Sequence, residues 1–327
     1  MLTRPEIRAA LLAEGTDQRD LFAEASRLRD ERFGRTVVLR GVVEITNVCR
    51  VNCDYCPMRR DNLNMLDRFF MNAEDILTRA GHIRDAGIDV VLLQGGETPS
   101  VLPTLREVIP ELLRMWGGRV EVLLNLGSFS RAQYKLLREL GATSYIIKHE
   151  TSDPALFEAI RHQRLPERIG HVRTLRELGY SVGTGLISSL PGQSLESVID
   201  DIELAGELGV QMCSVSPFVP APDTPLSAAP SGSLGLALNT IATLRVCYPE
   251  LLIPSVSALE KTSSGGQSRG LAAGANVLTI NFTGDTAVNR YLIYGKERFV
   301  VKTEHVRTML TDAGFGVRGS VFLDRVA

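Results

Sequence analysis

"TVVLRGVVEITNVCRVNCDYC", residues 36–56, joins two patterns that rarely meet. Its first half is rich in β-branched residues (Val37, Val38, Val42, Val43, Ile45, Thr46), which suit a strand. Its second half places Cys49, Cys53 and Cys56 within eight positions, while the rest of the chain holds only Cys213 and Cys247. A strand that runs straight into three thiols puts reactive groups at a strand end. What matters next is the kind of sheet to which that strand belongs.

Seven further runs read as strands: "VVLLQGG", "VEVLLNLG", "SYIIKHE", "SVGTGLISSL", "CSVSPFVP", "LLIPSVSAL" and "ANVLTINF". Helical patterns lie between most of them. "NAEDILTRAGHIRDAG" opens on Asn72 as N-cap and stops near Gly87. "SLESVIDDIELAGELG" opens on Ser194, carries Leu195, Val198, Ile199, Ile202 and Leu208 at helical spacing, and stops at Gly209. Strands alternating with helices make a parallel sheet, and eight such units predict an α/β fold of the closed (β/α)8 TIM-barrel type. A doubly wound open sheet is the alternative, but usually stops at fewer strands. Residues 1–35 read as an N-terminal helical extension and 36–327 as a single barrel domain. "SAAPSGSLG" is a loop too short to divide domains.

Composition agrees. With 44% hydrophobic and 23% charged residues, the 327-residue chain can bury a large core and is not disordered. Lys+Arg 36 against Asp+Glu 38 gives no basic surplus for nucleic acid. The start, "MLTRPEIRAALLAEGTDQRD", lacks an apolar signal core, and no stretch reaches membrane-spanning length. A cytoplasmic protein is expected, with no membrane or nucleic-acid partner. Thiols there stay reduced, so clustered cysteines read as metal ligands rather than disulfides.

Barrel active sites lie at the C-terminal ends of strands. The polar residues there are Gln94, Gly95, Gly96 and Glu97 after the second strand and Asn125 after the third. Lys148, His149 and Glu150 follow the fourth. Ser214 and Ser216 lie on the sixth, Ser255 and Ser257 on the seventh, Thr279 and Asn281 on the eighth. His149 alternates away from Glu150 and should face the helix layer. The C-x3-C-x2-C spacing can wrap a metal centre. Zinc needs a fourth ligand, and no Cys or His lies nearby; a [4Fe-4S] cluster held by three thiolates leaves one iron open. Unliganded reduced thiols are the third reading. Cys213 and Cys247 read as small buried residues.

The motif, with Tyr55 before its last cysteine, resembles the signature of the radical S-adenosylmethionine enzymes. "QGGE" (94–97) is similar to that family's Gly-Gly-Glu segment, which binds the methionyl amino group. "GTGLISSLPGQ" (183–193), with Leu186, resembles the segment lying along the adenine. "CRVNCDYCPMRRDN", "HETSDPALFEAIR", "SPFVPAPDTPL" and "AGANVLT" are similar to segments of a subgroup: biotin synthase, the [FeFe]-hydrogenase maturase HydE and methylornithine synthase. The resemblance implies a [4Fe-4S] cluster on Cys49, Cys53 and Cys56. It implies S-adenosylmethionine held by Tyr55, Gly95, Gly96, Glu97, Asn125, Glu150, Arg168 and Leu186, with Gly95 and Gly96 giving the backbone clearance for close approach. It also implies reductive cleavage to a 5′-deoxyadenosyl radical that abstracts hydrogen from a substrate, and an electron donor such as flavodoxin or ferredoxin.

The departures matter too. Biotin synthase holds a second cluster with further barrel cysteines, absent here from "SYIIKHE" and "SVGTGLISSL", so sulfur insertion of that type is not expected. The later strands are rich in Ser, Thr and Asn, with no aromatic box. Ser214, Ser216, Ser257, Thr279, Asn281 and Arg269 are expected to bind substrate, and Lys148 to act as a catalytic anion contact. Such a pocket suits a small amino-acid-like or carboxylate metabolite. A HydE-like maturase is the alternative, and a non-catalytic cluster-binding regulator the reading from another class.

Overall fold

The structure is a computed structural model that describes residues 2–65 and 67–323. Met1 and residues 324–327, at the outer limits of the two expected segments, lie outside the described residues. Two helices, Arg4–Leu11 and Gly15–Phe33, precede the sheet. The strands are β1 (Thr36–Thr46), β2 (Val90–Gly95), β3 (Glu121–Asn125), β4 (Ser144–Ile146), β5 (Ser181–Ser188), β6 (Met212–Pro217), β7 (Val277–Asn281) and β8 (Gly316–Arg318). All pairings between them are parallel, in the order β6-β5-β4-β3-β2-β1-β7, with β8 added beside the start of β1.

The seventh expected strand is reduced to two isolated bridges, Leu252 to Met212 of β6 and Pro254 to Val277 of β7. Pro254 has no N–H to donate, and the chain turns at Ser257 into the helix Ser257–Thr262. These bridges still close the ring: Cys213 N–H reaches Leu252 O at 3.1 Å, and Ser255 N–H reaches Val277 O at 2.9 Å. The eighth expected strand is therefore β7. The short, partly exposed β8 was not anticipated.

The two-residue period of the strands sorts the side chains. Val38, Val42, Val90, Leu92, Leu123, Met212, Leu252 and Val277 point inward and plug the barrel. Val37, Val43, Ile45, Val91, Leu93, Val122 and Leu124 point outward into the helix layer. The helices begin where their caps place them: Asn72 accepts from Asp75 N–H ahead of Ala73–Asp85, and Ser194 from Ser197 N–H ahead of Leu195–Glu207. Cys213 and Cys247 are buried packing residues. Among the described residues, no helix is long and apolar enough to cross a membrane.

Candidate active site

The cysteine loop is fixed where it leaves β1. The Thr46 hydroxyl donates to Phe69 O at 2.6 Å and accepts from Val48 N–H at 3.1 Å. Asn47, fully buried, donates to Asp67 O and Arg290 O and accepts from Phe69 N–H. Arg68 braces the loop from outside by donating to Asn47 O and Met58 O. Cys49, Cys53 and Cys56 are free and all line one chamber at the barrel mouth. Burial pushes each thiol's pKa up, so thiolates there call for a cationic partner. Among the described residues, no three His, Cys, Asp or Glu side chains gather as ligands of a single ion. Three thiols lining one chamber can each meet a different iron of a cluster.

Gly95 and Gly96 end β2 against this loop. A Cβ on Gly96 would lie 2.2 Å from Val48 O, and one on Gly95 2.9 Å from Thr46 Cγ2. The clearance expected for a bound molecule is thus taken up first by the cysteine loop itself. Glu97 follows, almost fully buried. Its carboxylate lies 3.2 Å from Arg168 Nη1, 3.3 Å from Arg50 Nη2 and 3.6 Å from Arg161 Nη2, and accepts from the Ser128 hydroxyl. Burial alone would push its pKa up, but Arg168, Arg161, Ser128 and Arg50 outweigh that and hold it at about 2. Gly127, at φ +75°, makes the room: a Cβ there would sit 2.2 Å from Glu97 Cγ.

Glu150 stands beyond β4 in a left-handed conformation, φ +64°. Thr151 N–H bonds back to His149 O at 2.8 Å, a three-residue turn of the rarer, strained γ form. Glu150 N–H donates to Gly185 O and its carbonyl accepts from Ile187 N–H, both at 2.9 Å, so it bridges to Leu186. Arg168 Nε donates to Lys148 O at 2.8 Å. Arg161, which the sequence did not single out, connects these groups. It is buried, donates to Tyr55 Oη at 3.2 Å, and lies 3.6 Å from Glu150 Oε1. It closes the helix Pro154–Arg161, while Arg168 lies on the next helix, Leu165–Glu177, so helical spacing in the sequence does not relate the two.

Tyr55, Gly95, Gly96, Glu97, Asn125, Lys148, Glu150, Arg168, Ser216, Ser257, Thr279 and Asn281 all line the chamber with the thiols. Three expected residues do not. Leu186 is wholly buried in the core. Ser214 lies deeper, on a smaller cavity shared with Arg40 and Met212. Arg269 is on the outer face of the helix Gly266–Ala272, bonded to Ser263 Oγ at 2.7 Å; Gln267, two residues earlier, faces inward instead. The chamber also contains groups not expected. Glu44, inward on β1, receives a fork from Arg298 with both contacts at 2.6 Å. Tyr291, Tyr294 and Phe299 line the wall from the irregular segment after β7, so aromatics enter the site from a loop rather than from the later strands. His149 faces the helix layer as expected, with Nδ1 2.9 Å from Thr184 Oγ1.

Comparison with known proteins places this geometry. Residues 43–205 match the family model described as the Radical SAM superfamily. The chain is 35% identical over 301 residues to the [FeFe] hydrogenase maturase subunit HydE of Thermotoga maritima, covering 90% of this chain and 85% of that protein. It is 26% identical over 300 residues to the 3-methylornithine synthase of Methanosarcina acetivorans, covering 90% and 84%. Its fold matches the crystal structure of methylornithine synthase (PylB) with a TM-score of 0.87 at 24% identity, over 100% of this chain and 97% of that one.

Proposed function

This chain belongs to the radical SAM superfamily of enzymes, and on that premise we propose how its chamber works. Cys49, Cys53 and Cys56 hold a [4Fe-4S] cluster, and S-adenosylmethionine binds between it and Glu97, Glu150 and Arg168. The substrate is a small amino-acid-like or carboxylate metabolite, modified in cofactor or natural-product biosynthesis. The observation that carries the reading is that three thiols and the Glu97–Arg168–Arg161–Glu150 charge group line one chamber. When bound, the cluster and S-adenosylmethionine supply a 5′-deoxyadenosyl radical that takes a hydrogen atom from the substrate.

The chain's own groups do the positioning. Glu97 stays ionised and gives a fixed negative charge beside the thiols for an ammonium group. Arg168, with donors to spare beyond Glu97 and Lys148 O, forks onto a carboxylate. Arg161 orients Glu150 and Tyr55. The barrel walls exclude water and competing hydrogen donors. Across the chamber, Lys148, Ser216, Thr279 and Asn281 receive the substrate's anionic end. A reductant such as flavodoxin or ferredoxin, in a cytoplasmic setting that keeps the thiols reduced, completes the system.

The similarity to the maturase over most of both chains favours one second reading, an enzyme acting on an iron-bound ligand. Pools of deuterated amino acids and small carboxylates, given to the reduced enzyme, separate the two. A free metabolite that passes deuterium into 5′-deoxyadenosine supports the first. Label delivered solely by a protein or an iron-bound partner replaces it with the second.

A further inference from the structure

We propose that Asp201 and Ser197, on the outer helix Leu195–Glu207, are positioning residues that aim Glu150 into the chamber. The proposal rests on the reading that Glu150 holds S-adenosylmethionine. Neither residue touches the chamber; both act on the turn that carries Glu150.

Asp201 is fully buried, in line with Val198, Ile202 and Ala205 on the apolar face of its helix. An aliphatic side chain would pack there without the cost of desolvating a charge. Among the described residues the carboxylate has no arginine or lysine partner. Its Oδ1 accepts from Ser152 N–H and lies 3.3 Å from His149 Nε2; its Oδ2 accepts from Gln193 Nε2 at 3.3 Å. Ser197 works beside it. Its hydroxyl is 3.0 Å from Thr151 Oγ1, and its carbonyl accepts from Ser152 Oγ at 3.0 Å. From the strand side, Thr184 Oγ1 holds His149 Nδ1 at 2.9 Å.

The pattern is one-sided. His149, Thr151 and Ser152 are each tied back to the helix layer or β5, and Glu150 alone is turned to the chamber. Its φ of +64° is unfavourable for a glutamate and persists only where the surroundings over-determine it. Those tethers supply that constraint: if residues 149 and 152 are released, the turn can relax and swing the carboxylate away from Arg161.

Equilibrium binding of S-adenosylmethionine to the anaerobically reconstituted enzyme tests this through a double-mutant cycle. Glu150→Gln should weaken binding about tenfold, and Asp201→Asn about fivefold, within the range of couplings in one hydrogen-bond network. The combined variant should bind within about twofold of Glu150→Gln alone, because Asp201 then has nothing left to position. Ser197→Ala, a milder change, should show the same non-additivity if Asp201→Asn fails to fold. The proposal is overturned if Glu150→Gln weakens binding while both helix variants leave it unchanged, or if their effects persist undiminished in the Glu150→Gln background. Unchanged binding in Glu150→Gln itself overturns the cofactor role of Glu150 and, with it, this inference.

Discussion

The two halves of the chamber are built on opposite terms. On the side of β2 to β5, the charges nearest the thiols are paired: Glu97 meets three arginines and a serine, and Arg161 meets Glu150 and Tyr55. On the side of β6, the Leu252–Pro254 bridges and β7, polar groups wait. The Ser216 hydroxyl is buried on the chamber wall, and that of Ser214 on the smaller cavity beneath it, each without a hydrogen-bond partner among the described residues; Lys148, reaching in from the end of β4, likewise has no carboxylate among them. A pre-paired half suits a ligand whose charges are always the same, because its geometry is fixed before binding. An unsatisfied half gains most of its hydrogen bonds when its own ligand arrives. The difference fits a shared cofactor on one side and a particular substrate on the other.

The largest expected effect lies in the paired half. Cys53→Ala should remove bound iron, brown colour and S-adenosylmethionine cleavage altogether. Cys213→Ala and Cys247→Ala should keep all three, at a packing cost of about 1–2 kcal/mol. Iron and sulfide analysis after reconstitution measures this; about four of each per chain is expected, and none in Cys53→Ala. Iron retained by Cys53→Ala, or lost from Cys213→Ala, would break the division between ligating and packing cysteines.

The next effect tests whether the second half is loose throughout. It is not expected to be, since the Glu44–Arg298 fork anchors the segment that carries Tyr291, Tyr294 and Phe299. Glu44 is buried and burial pushes its carboxyl up, the more so without its arginine. Arg298→Ala should therefore cost about 3–5 kcal/mol in urea denaturation, from the buried charge left behind. Replacing both residues together, as Glu44→Gln with Arg298→Met, should cost clearly less. Equal costs for the single and double variants would mean the fork contributes nothing specific.

What the sequence revealed follows the same division. The cysteine loop and "QGGE" were legible because their residues are close in the chain and their spacing is itself the geometry. The barrel was legible because its strand period repeats. Arg161 was not, since its role depends on the end of the helix Pro154–Arg161 meeting Tyr55 across the fold. Arg269 was misplaced because two positions along a helix turn a side chain to the opposite face, which put Gln267 inside instead. Tyr291, Tyr294, Phe299 and Arg298 lie on an irregular segment with no period to read. The shortened seventh strand had a visible cause in Pro254, whose missing N–H limits it to isolated bridges.

Acid should loosen the paired half in a defined window. Glu97 has an ordinary carboxyl value of 4.5 when unfolded and about 2 when folded. A depressed carboxyl stabilises the fold fully above the unfolded value and loses that contribution as pH falls toward the folded one. The stability difference between wild type and Glu97→Gln should therefore hold steady from neutral pH down to about 4.5, then shrink toward pH 2. Denaturation midpoints at several pH values measure it. A difference that stays constant down to pH 2.5 would show that the arginines do not stabilise the ionised form.

The smallest effect compares two serines, one from each half. Ser128 donates its hydroxyl proton to Glu97 and accepts from Arg50 Nη2 at 3.2 Å. Ser128→Ala removes a bond to a charged group and should cost about 1.5–3 kcal/mol. Ser216, also buried, has no hydrogen-bond partner to lose among the described residues. Ser216→Ala should leave stability within about 0.5 kcal/mol of wild type or raise it slightly, since an unsatisfied hydroxyl carries a desolvation cost. Its effect should surface in substrate-dependent turnover, while S-adenosylmethionine binding stays unchanged. Matched thermal melts of the two variants decide the matter. Should Ser216→Ala destabilise the fold as much as Ser128→Ala does, the hydroxyls of the second half are structural, and the contrast between a satisfied and a waiting half of the chamber fails.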